Sequence, residues 1–148
     1  MKHEIRTEII INSSNERVYE ILTDLPSYAS WNPFIIHSEG VVKVGNTLKN
    51  SMKNGNKTSV FKPKVLKAEK GKSFEWLGSL FIKGLFDGHH YFHIQKINAN
   101  QINLIHGEKF SGILSGMIFR KIGDDTRKNF IKMNRALKSL VESKTQTI

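Results

Sequence analysis

The feature that most constrains this chain is a long stretch, from Phe34 to Ser111, in which short alternating segments are separated by turn signals, followed by one amphipathic helix. The punctuation falls at Gly45-Asn46, Asn54-Gly55-Asn56, Lys70-Gly71-Lys72, Asp87-Gly88 and Asn98 to Gln101. Between these signals the spacing predicts strands near 35–43, 47–53, 58–69, 72–81, 86–97 and 101–111. Sequential strands joined by short loops build an antiparallel meander. An earlier strand over His3 to Ile11 turns Ile5, Thr7, Ile9 and Ile11 to one side. Ser13-Ser14-Asn15-Glu16 then reads as a capping box with Ser13 as N-cap, opening a helix that carries Val18, Ile21 and Leu22. Leu25-Pro26-Ser27-Tyr28 predicts a second short helical turn, which Trp31-Asn32-Pro33-Phe34 ends because proline disfavours helix in the residue before it.

Strand alternation assigns the inward side chains: Phe74, Trp76, Gly78 and Leu80; Phe86, His90, Phe92 and Ile94; Ile102, Leu104, His106, Glu108 and Phe110. The opposite register would bury Asn103, Lys109, Asp87 and Gln95. In the last segment Thr126, Phe130, Met133, Leu137, Leu140 and Val141 form one stripe, opposed by Lys128, Lys132 and Arg135. Asp124 and Asp125 suit the first turn of this helix and Lys144 its end, with a separate short helical stretch expected over Leu114 to Ile122, before Gly123. The stripe is expected to cover the concave face of the sheet, which otherwise has no cover. The fold class read from the sequence is therefore α+β: a curved antiparallel sheet of about seven strands around a long C-terminal helix, with two short helices after the first strand. The 148 residues form one domain over 1–148, without internal repeats or a long linker.

Composition narrows function by exclusion. With no cysteine, the chain has no disulfides, thiolate zinc sites or thiol nucleophile. No apolar run reaches membrane-spanning length and the first residues lack a signal-peptide core, so a cytoplasmic location is expected. The net charge of +10 concentrates between Lys43 and Lys72, with nine lysines against the single acid Glu69. Such a block is either a solvated lysine surface or an attractor of anions, in transient contact with an anionic membrane or with nucleic acid. Lys49, Lys53, Lys62 and Lys64 are expected on an outer face without interleaved aromatic residues, so nucleic acid is not the expected partner.

Val18-Tyr19-Glu20-Ile21-Leu22-Thr23-Asp24, Tyr28 and Trp31-Asn32-Pro33-Phe34 form a distinctive N-terminal pattern. With Phe86-Asp87-Gly88-His89-His90-Tyr91-Phe92, His106-Gly107-Glu108-Lys109-Phe110-Ser111-Gly112 and Met133-Asn134-Arg135-Ala136-Leu137-Lys138, it resembles the START-like helix-grip superfamily. That superfamily includes birch-pollen-allergen-like and polyketide cyclase/dehydrase-type proteins, often labelled SRPBCC domains. The resemblance covers the whole chain and implies an elongated cavity between sheet and last helix that takes an apolar ligand. It does not choose among carriers, receptors and enzymes, all of which share this scaffold.

The residues expected to line the cavity are Trp31, Phe34, Phe74, Trp76, His90, Phe92, His106, Glu108, Phe110, Phe130, Met133 and Leu137. Trp31, Tyr28 and Phe34 are expected at its mouth, as a gate or as a loop anchored by aromatic burial. His90, His106 and Glu108 face inward on neighbouring strands, within reach of one another. They are either a self-satisfied polar cluster that orients one ligand group or acid–base residues of a cyclase or dehydratase. No cofactor and no metal is expected; His89 and His93 face outward, away from His90. The first expectation is a binder or carrier of a small hydrophobic, lipid- or polyketide-like molecule, the second a cofactor-free enzyme, the third an interaction module acting through the basic face.

Overall fold

The computed structural model describes residues 3–80 and 82–145, and leaves aside the side chains of residues 80, 144 and 145. The end of a strand at residue 81, the inward turn of Leu80 and the helix-end charge of Lys144 therefore lie outside the described residues. The elements are β1 (His3–Ile11), α1 (Asn15–Thr23), a 3-10 turn (Leu25–Ser27), α2 (Tyr28–Trp31), β2 (Ile35–Glu39), β3 (Lys49–Asn54), β4 (Lys57–Phe61), β5 (Lys64–Glu69), β6 (Ser73–Leu80), β7 (Phe86–Asn98), β8 (Gln101–Ser111) and α3 (Ser115–Thr145). Five strands form one antiparallel sheet in the order β1-β8-β7-β6-β5, and three form a second in the order β2-β3-β4. Residues 45–48 join the two: Thr47 bridges Lys64, Leu48 N–H donates to Pro63 O and Val65 N–H to Asn46 O.

The described residues contain eight strands where about seven were expected, because the segment 58–69 is two strands rather than one. Lys62-Pro63 divides it. Proline has no N–H to give to a ladder, so pairing stops there and resumes at Lys64 in the other sheet. Two further expectations are corrected at helix ends. Ser14, not Ser13, caps α1, its Oγ accepting from Arg17 N–H at 3.2 Å while Ser13 is buried. Residues 115–145 form one uninterrupted helix, Gly123 included, so there is no separate stretch before it. Glycine weakens a helix by roughly 1 kcal/mol relative to alanine, too little to end one held by packing on both sides. Here Ile118 and Ile122 before Gly123, and Phe130 and Met133 after it, all pack on the core.

The inward register is the expected one. Phe74, Trp76, Phe86, His90, Phe92, Ile94, Ile102, Leu104, His106 and Phe110 are buried, and Phe130, Met133, Leu137 and Val141 of α3 close over them. Asp87 is buried too, although it belongs to the other face. Its carboxylate curls back to accept from Gly84 N–H, at 3.2 and 3.1 Å from its two oxygens, which stabilises the β6–β7 loop. On the outer face Glu75 is nearly buried, with His89 Nε2 at 2.7 Å and His93 Nε2 at 3.0 Å from its two oxygens. Burial alone would raise the Glu75 carboxyl, but these contacts hold it below the usual carboxylate range. No described helix is long and apolar enough to cross a membrane.

Candidate functional site

Asn32 sets one wall of the site. Its Oδ1 accepts from Phe34 N–H at 2.9 Å and from Ile35 N–H at 2.8 Å, turning the chain sharply after α2 and aiming Phe34 inward. Phe34 there meets Phe130 of α3, ring centroids 5.6 Å apart. The split between β4 and β5 leaves a space between the two sheets and the first half of α3. That space is a cavity of about 290 Å³, walled by Phe34, Met52, Phe61 and Pro63 on one side and by Trp76, Phe86, Glu108, Phe110, Ile122 and Thr126 on the other. Asn54, Ser59, Gly78, Ser79, Gly88 and Asn129 complete it. Among these residues only Glu108 is ionisable.

The expected cavity residues divide into two layers. Phe34, Trp76, Glu108 and Phe110 line the cavity, while Phe74, His90, Phe92, His106, Phe130, Met133 and Leu137 form the packed layer beneath and beside it. Trp31 is half-buried against Tyr28, edge-on at 5.3 Å, with its Nε1 at 3.4 Å from Ser27 Oγ, and does not line the cavity. Tyr28 is fully buried, and its hydroxyl donates to Leu22 O.

His90, His106 and Glu108 do come together. His90 pairs with Glu108 across β7 and β8, and Phe92 pairs with His106. His90 Nε2 lies 2.7 Å from His106 Nε2, and His106 Nδ1 lies 2.8 Å from Asn134 Oδ1. Asn134 Nδ2 donates to Thr7 Oγ1 at 2.8 Å, and the Thr7 hydroxyl donates to His106 O at 2.7 Å. Thr7, His90, His106 and Asn134 are buried, the Glu108 side chain is 18% exposed at the cavity wall, and flat rings seal the imidazoles. Trp76 stacks on His90 at 4.5 Å, while Phe130 and Phe92 stack on His106 at 4.2 and 4.3 Å.

This chain has one direction. A backbone carbonyl can only accept, so Thr7 gives it its proton and must accept from the Asn134 amide nitrogen. Asn134 therefore turns its oxygen to His106, whose Nδ1 carries hydrogen. Burial holds His106 well below the ordinary histidine value, and burial with the nearby His89 charge pushes His90 down to about 3, so both rings are neutral near pH 7. A neutral His106 with hydrogen on Nδ1 has a bare Nε2, to which His90 Nε2–H donates. That leaves His90 Nδ1 bare, buried and without a partner, 3.6 Å from Glu108 Oε1. Burial against the apolar wall pushes the Glu108 carboxyl up to about 8, outweighing the opposing pull of His89. At neutral pH the cavity thus contains a protonated carboxyl beside an unsatisfied imidazole nitrogen. Gly88 makes room for it, since a Cβ there would stand 2.1 Å from Glu108 Oε2.

Asn134 and Thr7 carry this polarity, and sequence reasoning gave neither a role. Thr7 was placed inward by alternation. Asn134 lies four residues after Phe130 and three before Leu137, a helical spacing that puts it on the buried stripe despite its polarity. Among the described residues no group of three histidine, aspartate or glutamate side chains is placed to hold a metal ion. His90 Nε2 and both ring nitrogens of His106 are already taken up within the chain of hydrogen bonds.

A curved antiparallel sheet gripping one long C-terminal helix, with a cavity between them, defines a START-like helix-grip domain. Solved structures agree on this fold. The aromatase/cyclase Zhui from Streptomyces sp. R1128 superposes with a TM-score of 0.81 at 10% identity, covering 99% of this chain and 98% of that one. A START superfamily protein from Mycobacterium smegmatis gives 0.74 at 17% identity, covering 95% and 98%. Norcoclaurine synthase from Thalictrum flavum, as a point mutant with a transition-state analogue, gives 0.75 at 11% identity, covering 99% and 98%. No curated protein matches the sequence. Residues 2–131 match the family described as polyketide cyclase / dehydrase and lipid transport, and the chain belongs to that family.

Proposed function

We propose that this protein binds and carries a small, largely apolar molecule in the cavity between the sheets and α3, within the cytoplasm, with Glu108 orienting the molecule's one polar end. The observation that carries this reading is the cavity itself: about 290 Å³, walled by aromatic and aliphatic side chains, with one ionisable group. Such sites draw affinity from apolar burial and orientation from a few polar groups. Native mass spectrometry of protein purified from its own host tests it, together with thermal denaturation across lipids and aromatic polyketides. A stoichiometric apolar adduct is expected, and a saturating ligand adds about 2–3 kcal/mol of stability. An empty protein that no member of the panel stabilises ends the proposal.

Two observations extend it. The loops after β6 and β8 and the first turns of α3 present Ile82, Ile113 and Met117 to solvent, with exposed Lys83, Arg120 and Lys121 near them in the chain, at the end of the fold where the cavity lies. Aliphatic tips among cations suit an anionic bilayer surface, from which a carrier collects its load. The protonated Glu108 also favours a second reading, a cyclase or dehydratase in which this carboxyl is the general acid and His90 and His106 act from behind it. In that case Glu108→Gln lowers turnover about 100-fold while leaving affinity for the bound molecule nearly unchanged. Bound molecule recovered unchanged, with Glu108→Gln altering affinity alone, favours the carrier.

A further inference from the structure

The polarity of the buried chain bears on what the ligand must offer, an inference that rests on the binding function proposed above. His90 Nδ1 is fully buried, bare and without a hydrogen-bond partner among the described residues, and the Glu108 carboxyl lies 3.6 Å away. That distance is a fraction of an ångström beyond a hydrogen bond. The broad terminal torsion of a glutamate closes it with a small rotation. An unsatisfied buried acceptor is costly, so the carboxyl hydrogen is drawn to His90. Once it is donated there, Glu108 has no hydrogen left for the cavity and turns a carbonyl-type oxygen toward it. A ligand ketone or ether would then meet lone pairs with lone pairs. A ligand carboxylate would add an unpaired charge in an apolar space.

We infer that the cavity selects a neutral hydrogen-bond donor, an un-ionised hydroxyl on an apolar body such as an alcohol or phenol, which donates to Glu108 while Glu108 donates to His90. Thr7 and Asn134 are positioning residues in this scheme. Neither reaches the ligand, and together they fix which way every hydrogen in the chain points. Without the Thr7 hydroxyl, the Asn134 amide is free to turn over. The chain then runs in reverse, and His90 Nδ1 acquires a hydrogen and becomes a donor.

The test uses the full chain and three two-ring probes that differ at one position: 2-naphthol, 2-methoxynaphthalene and 2-naphthoate, titrated at pH 6.5 by calorimetry. Naphthol is expected to bind about tenfold to a hundredfold more tightly than the ether, with naphthoate weakest. Glu108→Gln keeps that preference, because an amide can donate to His90 through its nitrogen and accept from the ligand through its oxygen. Glu108→Met abolishes it. Thr7→Val shrinks the naphthol-to-ether ratio, a change that general destabilisation does not produce. Nitrogen-15 spectra of the histidine rings provide a readout independent of any ligand: hydrogen on His90 Nε2 and His106 Nδ1, with His90 Nδ1 and His106 Nε2 bare. Equal binding of naphthol and its ether, or hydrogen on His90 Nδ1, overturns the inference and leaves the binding function standing. Failure of all three probes and of the wider panel, with the ring tautomers as drawn, overturns the binding function instead and removes the ligand preference with it.

Discussion

Glu108 and His90 make the stability of this fold depend on pH in opposite directions. The carboxyl titrates at 4.5 when free and at about 8 in the folded protein, so between those values the folded state retains a proton that the unfolded chain has lost. Stability contributed by the neutral acid is therefore fully present below about pH 4.5 and is lost as pH rises toward 8. His90 moves from 6.5 to about 3, so its contribution is full above pH 6.5 and is lost as pH falls toward 3. Between pH 4.5 and 6.5 the two slopes oppose each other, and His106, held low as well, adds to the acid side. Thermal melting is therefore expected to peak near pH 6. Glu108→Gln removes the alkaline limb: at pH 9 the variant is more stable than the wild type by on the order of 2–4 kcal/mol, a rise of several degrees in Tm. At pH 5.5 the two differ little. A wild-type Tm that stays level from pH 6 to pH 9 contradicts the assignment of a neutral Glu108. Phe130 illustrates how tightly the layer behind is filled: fully buried, it stacks on His106 and touches Phe34. Phe130→Ala should cost about 3–5 kcal/mol in urea denaturation, since a cavity is left where two rings rested. A loss below 1 kcal/mol would mean that this layer is loosely packed.

Among the elements, α3 gives the sharpest check. Gly123 sits inside the helix, and a Cβ there would find its nearest neighbour in the Phe119 ring at 3.5 Å, an ordinary contact. Gly123→Ala is expected to raise stability by about 0.5–1 kcal/mol, read from the denaturation midpoint. A lower midpoint would argue for a break at this glycine. The same position shows how far the sequence could be read. Strand alternation and the stripe from Phe130 to Val141 were legible because their periods of 2 and 3.6 are dictated by backbone geometry and repeat over many residues. Gly123 misled because local propensity is weak against packing on both sides. Ser13 and Ser14 could not be separated, since both carry a hydroxyl and only the turn geometry decides which one caps. The strand break at Pro63 was visible in principle, as a proline inside a predicted strand. Its consequence, a gap between sheets that becomes the cavity, depends on which strand pairs with which. The site was half legible for a similar reason. Period 2 places His90, His106 and Glu108 on one face, but the direction of each hydrogen depends on Thr7 and Asn134, brought from β1 and α3 by tertiary structure.

At the scale of the whole molecule, the cavity, the two apolar loops and the excess positive charge act together only if they share one end of the fold. The cavity and the loops do, with only Lys83, Arg120 and Lys121 of the cations named beside them: Gly84 O accepts from Ile113 N–H at 3.1 Å and Leu85 O from Leu114 N–H at 2.8 Å, tying the β6–β7 loop to the start of α3 beside the cavity wall of Phe86, Phe110 and Ile122. Gly112 permits this approach, with φ at +106° and no room for a Cβ, which would stand 2.5 Å from Leu85 O. Ile82, Ile113 and Met117 are 66%, 82% and 59% exposed there, and Lys83, Arg120 and Lys121, near them in the chain, are exposed as well. Asp124 and Asp125 are exposed one turn further along α3 and offset part of that charge. Vesicle co-sedimentation distinguishes a docking edge from a surface that is merely basic. Binding to vesicles containing phosphatidylserine is expected, with none to phosphatidylcholine alone, because cations near an anionic surface contribute about 1 kcal/mol each while the aliphatic tips add burial. Ile113→Asp should weaken binding about tenfold or more without lowering Tm, as this side chain is solvated in the free protein. Reversing Lys62 and Lys64 to glutamate, in the link between β4 and β5 and at the start of β5, serves as the control. If that pair of changes abolishes vesicle binding and Ile113→Asp does not, attraction is diffuse across the lysine surface, and the loops at the cavity end have no part in it.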